Sequence, residues 1–146
     1  MKIRIIREPH PLGFSKYGVQ AGRVQVVAHV WKQSSSDRDV HDHRFSFRSL
    51  VARGKMTERL WEPVPGVTHD VVEWKAGPDG KSREVASGRT CGLTLAGVTE
   101  RKAGTWYQCR AGEFHSVTVT RAPLVTLLIK VFPVTDIPYA TVIRQR

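Results

Sequence analysis

Apolar and polar positions alternate along most of this chain with a period of two, in short runs broken by turn-forming residues. Val24 to Trp31 is rich in β-branched and apolar side chains, and Ser34 to Asp37 breaks it as a loop. From His41 to Val51, positions His41, His43, Phe45, Phe47, Ser49 and Val51 share one parity, and Arg44, Ser46 and Arg48 take the other. Arg53-Gly54-Lys55 is a hairpin signal, with Met56 to Trp61 as the returning strand. Pro63, Pro65 and Gly66 end that run, and Val67 to Trp74 reads as a further strand before the Ala76 to Gly80 turn.

Thr90 to Thr99, Thr105 to Cys109 and Phe114 to Arg121 continue the series. Leu124 to Phe132 is the most apolar run and reads as a central strand. Pro133 and Pro138 break the tail, and Tyr139 to Ile143 adds an edge strand. No stretch shows an i, i+3, i+4, i+7 stripe between caps. Strands recurring at about eight to twelve residues with turn signals between them predict an all-β sandwich or barrel. The 146 residues suit one domain, 1–146, with no repeat, linker or low-complexity tract.

Composition narrows the picture. No apolar run approaches the ~20 residues of a membrane helix. The first residues are charged throughout and lack the features of a secretory leader, so the expectation is a cytoplasmic protein without membrane association. Cys91 and Cys109 form no disulfide framework and read as buried free thiols. The net charge is +10, but its arginines and lysines are scattered. The absence of a clustered basic stripe argues against nucleic acid and leaves a small anionic ligand as the expected partner.

The chemistry concentrates in His41-Asp42-His43 and in a later His115. Histidines at i and i+2 of a strand face the same way, and a third on a neighbouring strand completes a facial metal site. Eleven residues after His43 lies Gly54; Gly104 is followed by five residues, then Arg110-Ala111-Gly112, two more, and His115. This spacing resembles the two motifs of the cupin superfamily. In those motifs Gly-x5-His-x-His-x3-4-Glu-x6-Gly is followed later by Gly-x5-Pro-x-Gly-x2-His-x3-Asn. The resemblance is carried by residues 41–54 and 104–119, and it departs at four places. Phe47 stands where the family has its glutamate ligand, Arg110 where it has proline, Val119 where it has asparagine, and Ser35 where it has the first glycine.

The resemblance implies a cupin-type antiparallel jelly-roll β-barrel with His41, His43 and His115 as metal ligands. A three-histidine site is similar to that of the thiol dioxygenase group. The His-Asp-His start also resembles small stand-alone bacterial and phage cupin-like proteins. Neutral imidazoles suit a divalent metal ion, with Fe(II) favoured and Zn, Ni or Mn as alternatives. Three protein ligands leave positions open for chemistry. The implied function is a mononuclear non-heme metal enzyme, an oxygenase or else a lyase or isomerase. The alternative is a non-catalytic ligand-binding cupin with a degenerate site. Glu58, Tyr107 and Arg110 are the candidate catalytic residues, with Arg48, Arg110 or Glu58 orienting an anionic substrate and Glu58, Tyr107 or Gln108 contacting substrate or ligand histidines. Asp42 points away from its neighbours. His29 reads as a core histidine, His10 as a loop residue and His69 as surface. Trp31, Trp61, Trp74 and Trp106 read as core or subunit-interface residues. Pairing through an edge strand predicts a homodimer.

Overall fold

The computed structural model describes residues 2–10, 13–36, 39–76, 78, 82–131 and 138–146. Among them all regular structure is strand. The strands are β1 (Ile3–Pro9), β2 (Ser15–Ala21), β3 (Val24–Trp31), β4 (Ser35–Ser36), β5 (Val40–His41), β6 (Phe47–Ala76), β7 (Ser82–Lys102), β8 (Trp106–Cys109), β9 (Phe114–Val131) and β10 (Ala140–Gln145). Every pairing is antiparallel, in the order β1-β2-β3-β9-β5-β10-β6-β7, with β4 on β9, β8 on β6, and a direct β9–β6 ladder. Two long bent strands, β6 and β9, each change neighbours along their length and so fold the sheet over its core. This is the all-β, antiparallel architecture expected of a jelly roll.

Several expected breaks are not breaks. Gly54 does not turn a hairpin, because Val51 and Met56 on either side of it both pair with β9, opposite Thr126 and Val119. Its φ of +85° and its closeness to Arg121 O and Pro123 O make it a bulge, since a Cβ there would meet both oxygens at 2.5 Å. Around the bulge in β6 the buried positions are Phe47, Ser49 and Val51 before it and Met56 and Glu58 after it. Along β9 they include His115 and Val119, with Ser116 beside His115, then Leu124, Thr126 and Leu128 beyond Pro123. Both strands therefore switch parity at the same level, and the inward faces stay aligned. Without that matched switch Glu58 would face outward.

Pro63, Pro65 and Gly66 likewise sit inside β6, where a register shift between Val64 and His69 accommodates the prolines. The strand expected at Tyr139–Ile143 is β10, but it lies between β5 and β6 rather than at an edge. β1 and β2 went unseen in the sequence because their alternating positions mix charge with isolated isoleucines and valines. Ser35–Ser36 pairs with β9 although it reads as loop. The Phe132–Pro133 stretch, Asp37, and most of the Ala76–Gly80 turn lie outside the described residues.

Among the described residues the core has three clusters. Phe14, Trp31, Val51, Met56, Val119 and Leu124 form one; Val27, Phe47, Cys109 and Leu128 a second; Val40, Cys91 and Ile143 a third. Cys91 and Cys109 are thus free buried thiols in different clusters. Trp31 is core, whereas Trp106 is 57% exposed.

Candidate metal centre

His41 ends β5, held between His115 of β9 and Val142 of β10. β5 stops there, so His43 is not on a strand as expected. Backbone bonds carry the geometry onward instead: Asp42 N–H donates to Thr141 O at 3.0 Å, and Gly112 N–H donates to His43 O at 3.1 Å. Asp42 is buried on the other side, its carboxylate accepting from the Thr141 N–H, which keeps it off the histidines.

The three imidazoles converge edge-on. Ring centroids lie 5.2 Å apart for His41 and His43, 4.7 Å for His41 and His115, and 5.1 Å for His43 and His115, with ring planes inclined by 63–83°. The Nε2 atoms of His43 and His115 are 3.0 Å apart, and one ligand nitrogen from each of the three rings falls within 4.8 Å of the others. Burial, then the neighbouring imidazoles, lowers His43 well below its ordinary range and holds His41 at about 3. These two rings are therefore neutral at pH 7.

Behind His115 stands Glu58, 2% exposed. Its Oε1 accepts from His115 Nδ1 at 2.9 Å, and its Oε2 accepts from Arg101 Nε at 2.7 Å and from the other end of the guanidinium at 2.6 Å. Burial alone would raise the Glu58 carboxyl, but the His115 hydrogen bond and Arg101 outweigh it, so the group lies below the usual carboxylate range. With Nδ1–H spent on Glu58, His115 Nε2 presents its lone pair inward, and the proton in the 3.0 Å contact belongs to His43.

These nitrogens fit a cation. Two facing Nε2 atoms share one proton at best, and the buried His41 Nδ1 has no hydrogen bond. A carboxylate behind a histidine fixes its tautomer as second partners of metal ligands do. A second trio, Glu58, Cys109 and His115, also places its donors within 4.8 Å. There Arg101 already neutralises the carboxylate, and burial followed by Glu58 pushes the Cys109 thiol far up, so it stays a thiol.

Phe47 fills the position of the missing glutamate, its ring 4.9 Å from His43, and Phe45 lies 6.4 Å from it. Lys130 was missed in the sequence because nothing in its spacing marks it. Its ammonium lies 3.8 Å over the Phe45 ring, and burial followed by Lys16 lowers it to about 8.

The other expected residues divide. Glu58 joins the centre through His115. Tyr107 packs in the core with the Arg101 guanidinium 4.7 Å over its ring, and burial pushes its phenol up, so it stays protonated. Arg110, Arg48 and Gln108 are exposed and are not brought to the histidines, because each falls on the outward parity or in a turn. His29 lies against Phe14 and Trp31, and His10 stacks on Phe14. His69 is half-buried inside β6 and bonded to Thr68 Oγ1 at 2.8 Å.

Neither a protein-family model nor a curated protein matches the sequence. Solved structures do match. Bacillus subtilis oxalate decarboxylase, described for its Mn(II) centres, superposes with a TM-score of 0.51 at 12% identity, over 87% of this chain and 27% of that one. Peruvianin-I, a cysteine peptidase from Thevetia peruviana latex, gives 0.50 at 13% identity, over 91% and 68%. A cupin superfamily protein from Desulfitobacterium hafniense covers 90% of this chain and 78% of its own, at 0.44 and 8% identity.

The fold is that of the cupins. At these identities the likeness is one of fold alone, and the chain spans about a quarter of the oxalate decarboxylase length. Bacillus subtilis oxalate decarboxylase and Peruvianin-I, named for such different activities, both superpose on this chain, so function must be argued from the site. Among the described residues no helix is long and apolar enough to cross a membrane.

Proposed function

We propose that the chain is a single cupin domain, 1–146, that holds one divalent metal ion between His41, His43 and His115 and acts on a small anionic substrate as a mononuclear non-heme metal enzyme. The observation that carries this reading is the convergence of three imidazoles, one buried and two half-buried, with the far nitrogen of the buried one anchored on a carboxylate. Fe(II) is the favoured ion, with Zn, Ni or Mn as alternatives. The ion, when bound, supplies Lewis-acid chemistry and, if it is iron, redox chemistry toward dioxygen.

The remaining roles belong to the chain. Glu58 keeps the His115 proton on Nδ1, and Arg101 keeps Glu58 ionised and in place. Phe45 and Phe47 exclude water from the His43 side. Lys130, half-buried beside them with no carboxylate within ion-pair distance among the described residues, offers positive charge to an anion. The free thiols of Cys91 and Cys109 accord with a reducing, cytoplasmic compartment.

A second reading, a ligand-binding cupin without turnover, is favoured by one observation. Phe47 replaces a charged ligand with an apolar ring. The two separate on metal-loaded protein offered a panel of small carboxylates and phosphates, with dioxygen uptake and product formation followed. The enzyme reading expects turnover that requires the metal and vanishes in His43→Ala. Full metal loading without turnover, together with ligand binding that survives in His41→Ala/His43→Ala, would establish the second reading instead.

A further inference from the structure

Where the bulge of β6, the bend of β9 and the turn from β7 to β8 meet, the fold gathers cations that lie far apart in the sequence. Lys55 of β6 pairs with Lys102 of β7 on one side and with Arg121 of β9 on the other. Residues paired across strands share a face, so the three cations stand in one row. The row faces outward, because the next residue along β6, Met56, is buried. Arg53, on the far side of Gly54, lines the same cleft. Among the described residues one carboxylate lies on its wall, Glu100, whose Oε1 accepts from Lys55 Nζ at 2.7 Å. Arg53, Lys102 and Arg121 have no carboxylate partner among the described residues. Like charges directly opposite one another across a sheet destabilise it, and Glu100 offsets one of four. The cleft has a volume of about 730 Å³, on the scale of a small-molecule site. Ala52, Ala103, Ala122 and Pro123 complete its wall, so no bulky side chain fills the space between the cations. Gly104 N–H donates to Val51 O at 2.8 Å and Val51 N–H donates to Thr105 O at 2.9 Å, which ties the turn after Lys102 to β6. On the other side Gly54 lies too close to Arg121 O and Pro123 O to admit a side chain. The cations are therefore held on a fixed frame before any ligand arrives.

We propose that this cleft binds a soluble oligophosphate, an anion of the triphosphate class, at a site separate from the three histidines. Adjacent strands lie about 4.8 Å apart, so Lys102, Lys55 and Arg121 mark a line of about 10 Å, which a triphosphate chain spans. Four cations against one carboxylate leave a positive surplus that a single small monoanion does not neutralise. Arginine offers phosphoryl oxygens a planar fork, and lysine offers them a point charge. A nucleic-acid strand fits less well, because no aromatic side chain lines the cleft for a base to stack on. A lipid surface also fits less well, because the wall carries alanines and a proline where a membrane-docking face carries bulky apolar side chains. The cleft is remote from the histidines. Leu60, which pairs with His115, lies five residues beyond Lys55 along β6, about 16 Å of strand.

Calorimetric titration of tripolyphosphate into the full chain at about 0.15 M salt, with sulfate titrated in parallel, tests this. The expected result is one tripolyphosphate per chain, bound about tenfold or more tightly than sulfate, which meets only part of the row. Lys102→Gln/Arg121→Gln is expected to weaken binding by about tenfold, whereas Arg4→Gln/Arg23→Gln, which removes as much charge from exposed positions elsewhere, is expected to change it by less than about twofold. Glu100→Gln is expected to tighten it. His41→Ala/His43→Ala is expected to bind as the wild type does, which separates the cleft from the metal centre. Lys102→Gln/Arg121→Gln is also expected to melt no lower than the wild type, since it relieves the like-charge row, so that lost binding is not lost folding. No binding at millimolar tripolyphosphate overturns the proposal. So does equal affinity for sulfate, equal weakening in the two double-charge variants, or loss of binding with the histidines. Binding of oligouridylate or of phosphatidic-acid vesicles that excess tripolyphosphate fails to displace overturns it in favour of a nucleic acid or a lipid surface.

Discussion

Two groups of histidines are wholly or partly buried in this fold, and they differ in how their rings meet their neighbours. His10 lies flat on Phe14, with centroids 4.2 Å apart and planes 12° from parallel, and His29 leans on the same ring at 4.6 Å. His41, His43 and His115 meet edge-on, nitrogen toward nitrogen. Burial lowers His10 to about 4 and His29 to about 3, as it does His41. A depressed histidine therefore reports only burial. What separates a packing histidine from a ligand is what its nitrogens face, and in the second group they face one another, with a carboxylate behind.

The sharpest way to break this comparison is to delete one ring from each group. His43→Ala or His115→Ala is expected to take metal content from about one ion per chain to near none. His29→Ala is expected to leave it unchanged and to cost only packing. Equal losses from both groups, measured by elemental analysis, would erase the distinction.

Glu58 comes next. Removing it leaves the half-buried Arg101 without its carboxylate, for which about 2–4 kcal/mol of stability is expected to be lost. It also frees the His115 tautomer, for which metal affinity is expected to fall about 10–100-fold. Adding Arg101→Met to Glu58→Gln is expected to restore much of the stability and none of the affinity. Thermal denaturation and metal titration on the same variants separate the two effects.

The bulge that turns Glu58 inward is the third target. Gly54→Ala places a Cβ against two carbonyl oxygens at a positive φ, and a loss of about 1–3 kcal/mol is expected from the backbone strain alone. The melting temperature reads it, and an unchanged value would remove the bulge from the account.

Per pH unit, the smallest effect is in the pH dependence of stability. His29 binds its proton in the unfolded chain near pH 6.5 but in the folded chain only near pH 3. The unfolded state thus holds more protons between those values, and stability falls as pH drops from about 6.5 toward 3. Each such histidine contributes about 1.4 kcal/mol per pH unit across that window. His29→Phe keeps the aromatic stack and is expected to flatten the slope by one proton. A slope unaltered in urea titrations at several pH values would mean that His29 is charged in the fold.

How much of this the chain disclosed depended on what each residue's signal meant locally. The His-Asp-His start, Gly54, Gly104, Gly112 and His115 pointed to a cupin fold, because spacing between turns and metal-type residues survives where overall identity does not. The all-β class was equally legible from alternation. Gly54 was misread as a hairpin because a glycine at positive φ serves a turn and a bulge alike, and only its partner strand distinguishes them. Arg110 and Arg48 drew attention by charge, yet strand parity turns Arg48 outward and Arg110 sits in a turn. Lys130 carries no motif, and its place over Phe45 comes from the β9 register, which no local pattern encodes. The row of cations was invisible for a similar reason. Lys55, Lys102 and Arg121 look like scattered charges until β7, β6 and β9 line up beside one another.

The central claim is that three imidazoles hold one ion. Elemental analysis after anaerobic loading with Fe(II) and, separately, Mn(II), and removal of free metal, measures it directly on the wild type and on His41→Ala/His43→Ala. The account expects about one ion per chain in the wild type and essentially none in the variant, with both proteins folded. Substoichiometric metal in the loaded wild type, or equal metal in the folded variant, would contradict it.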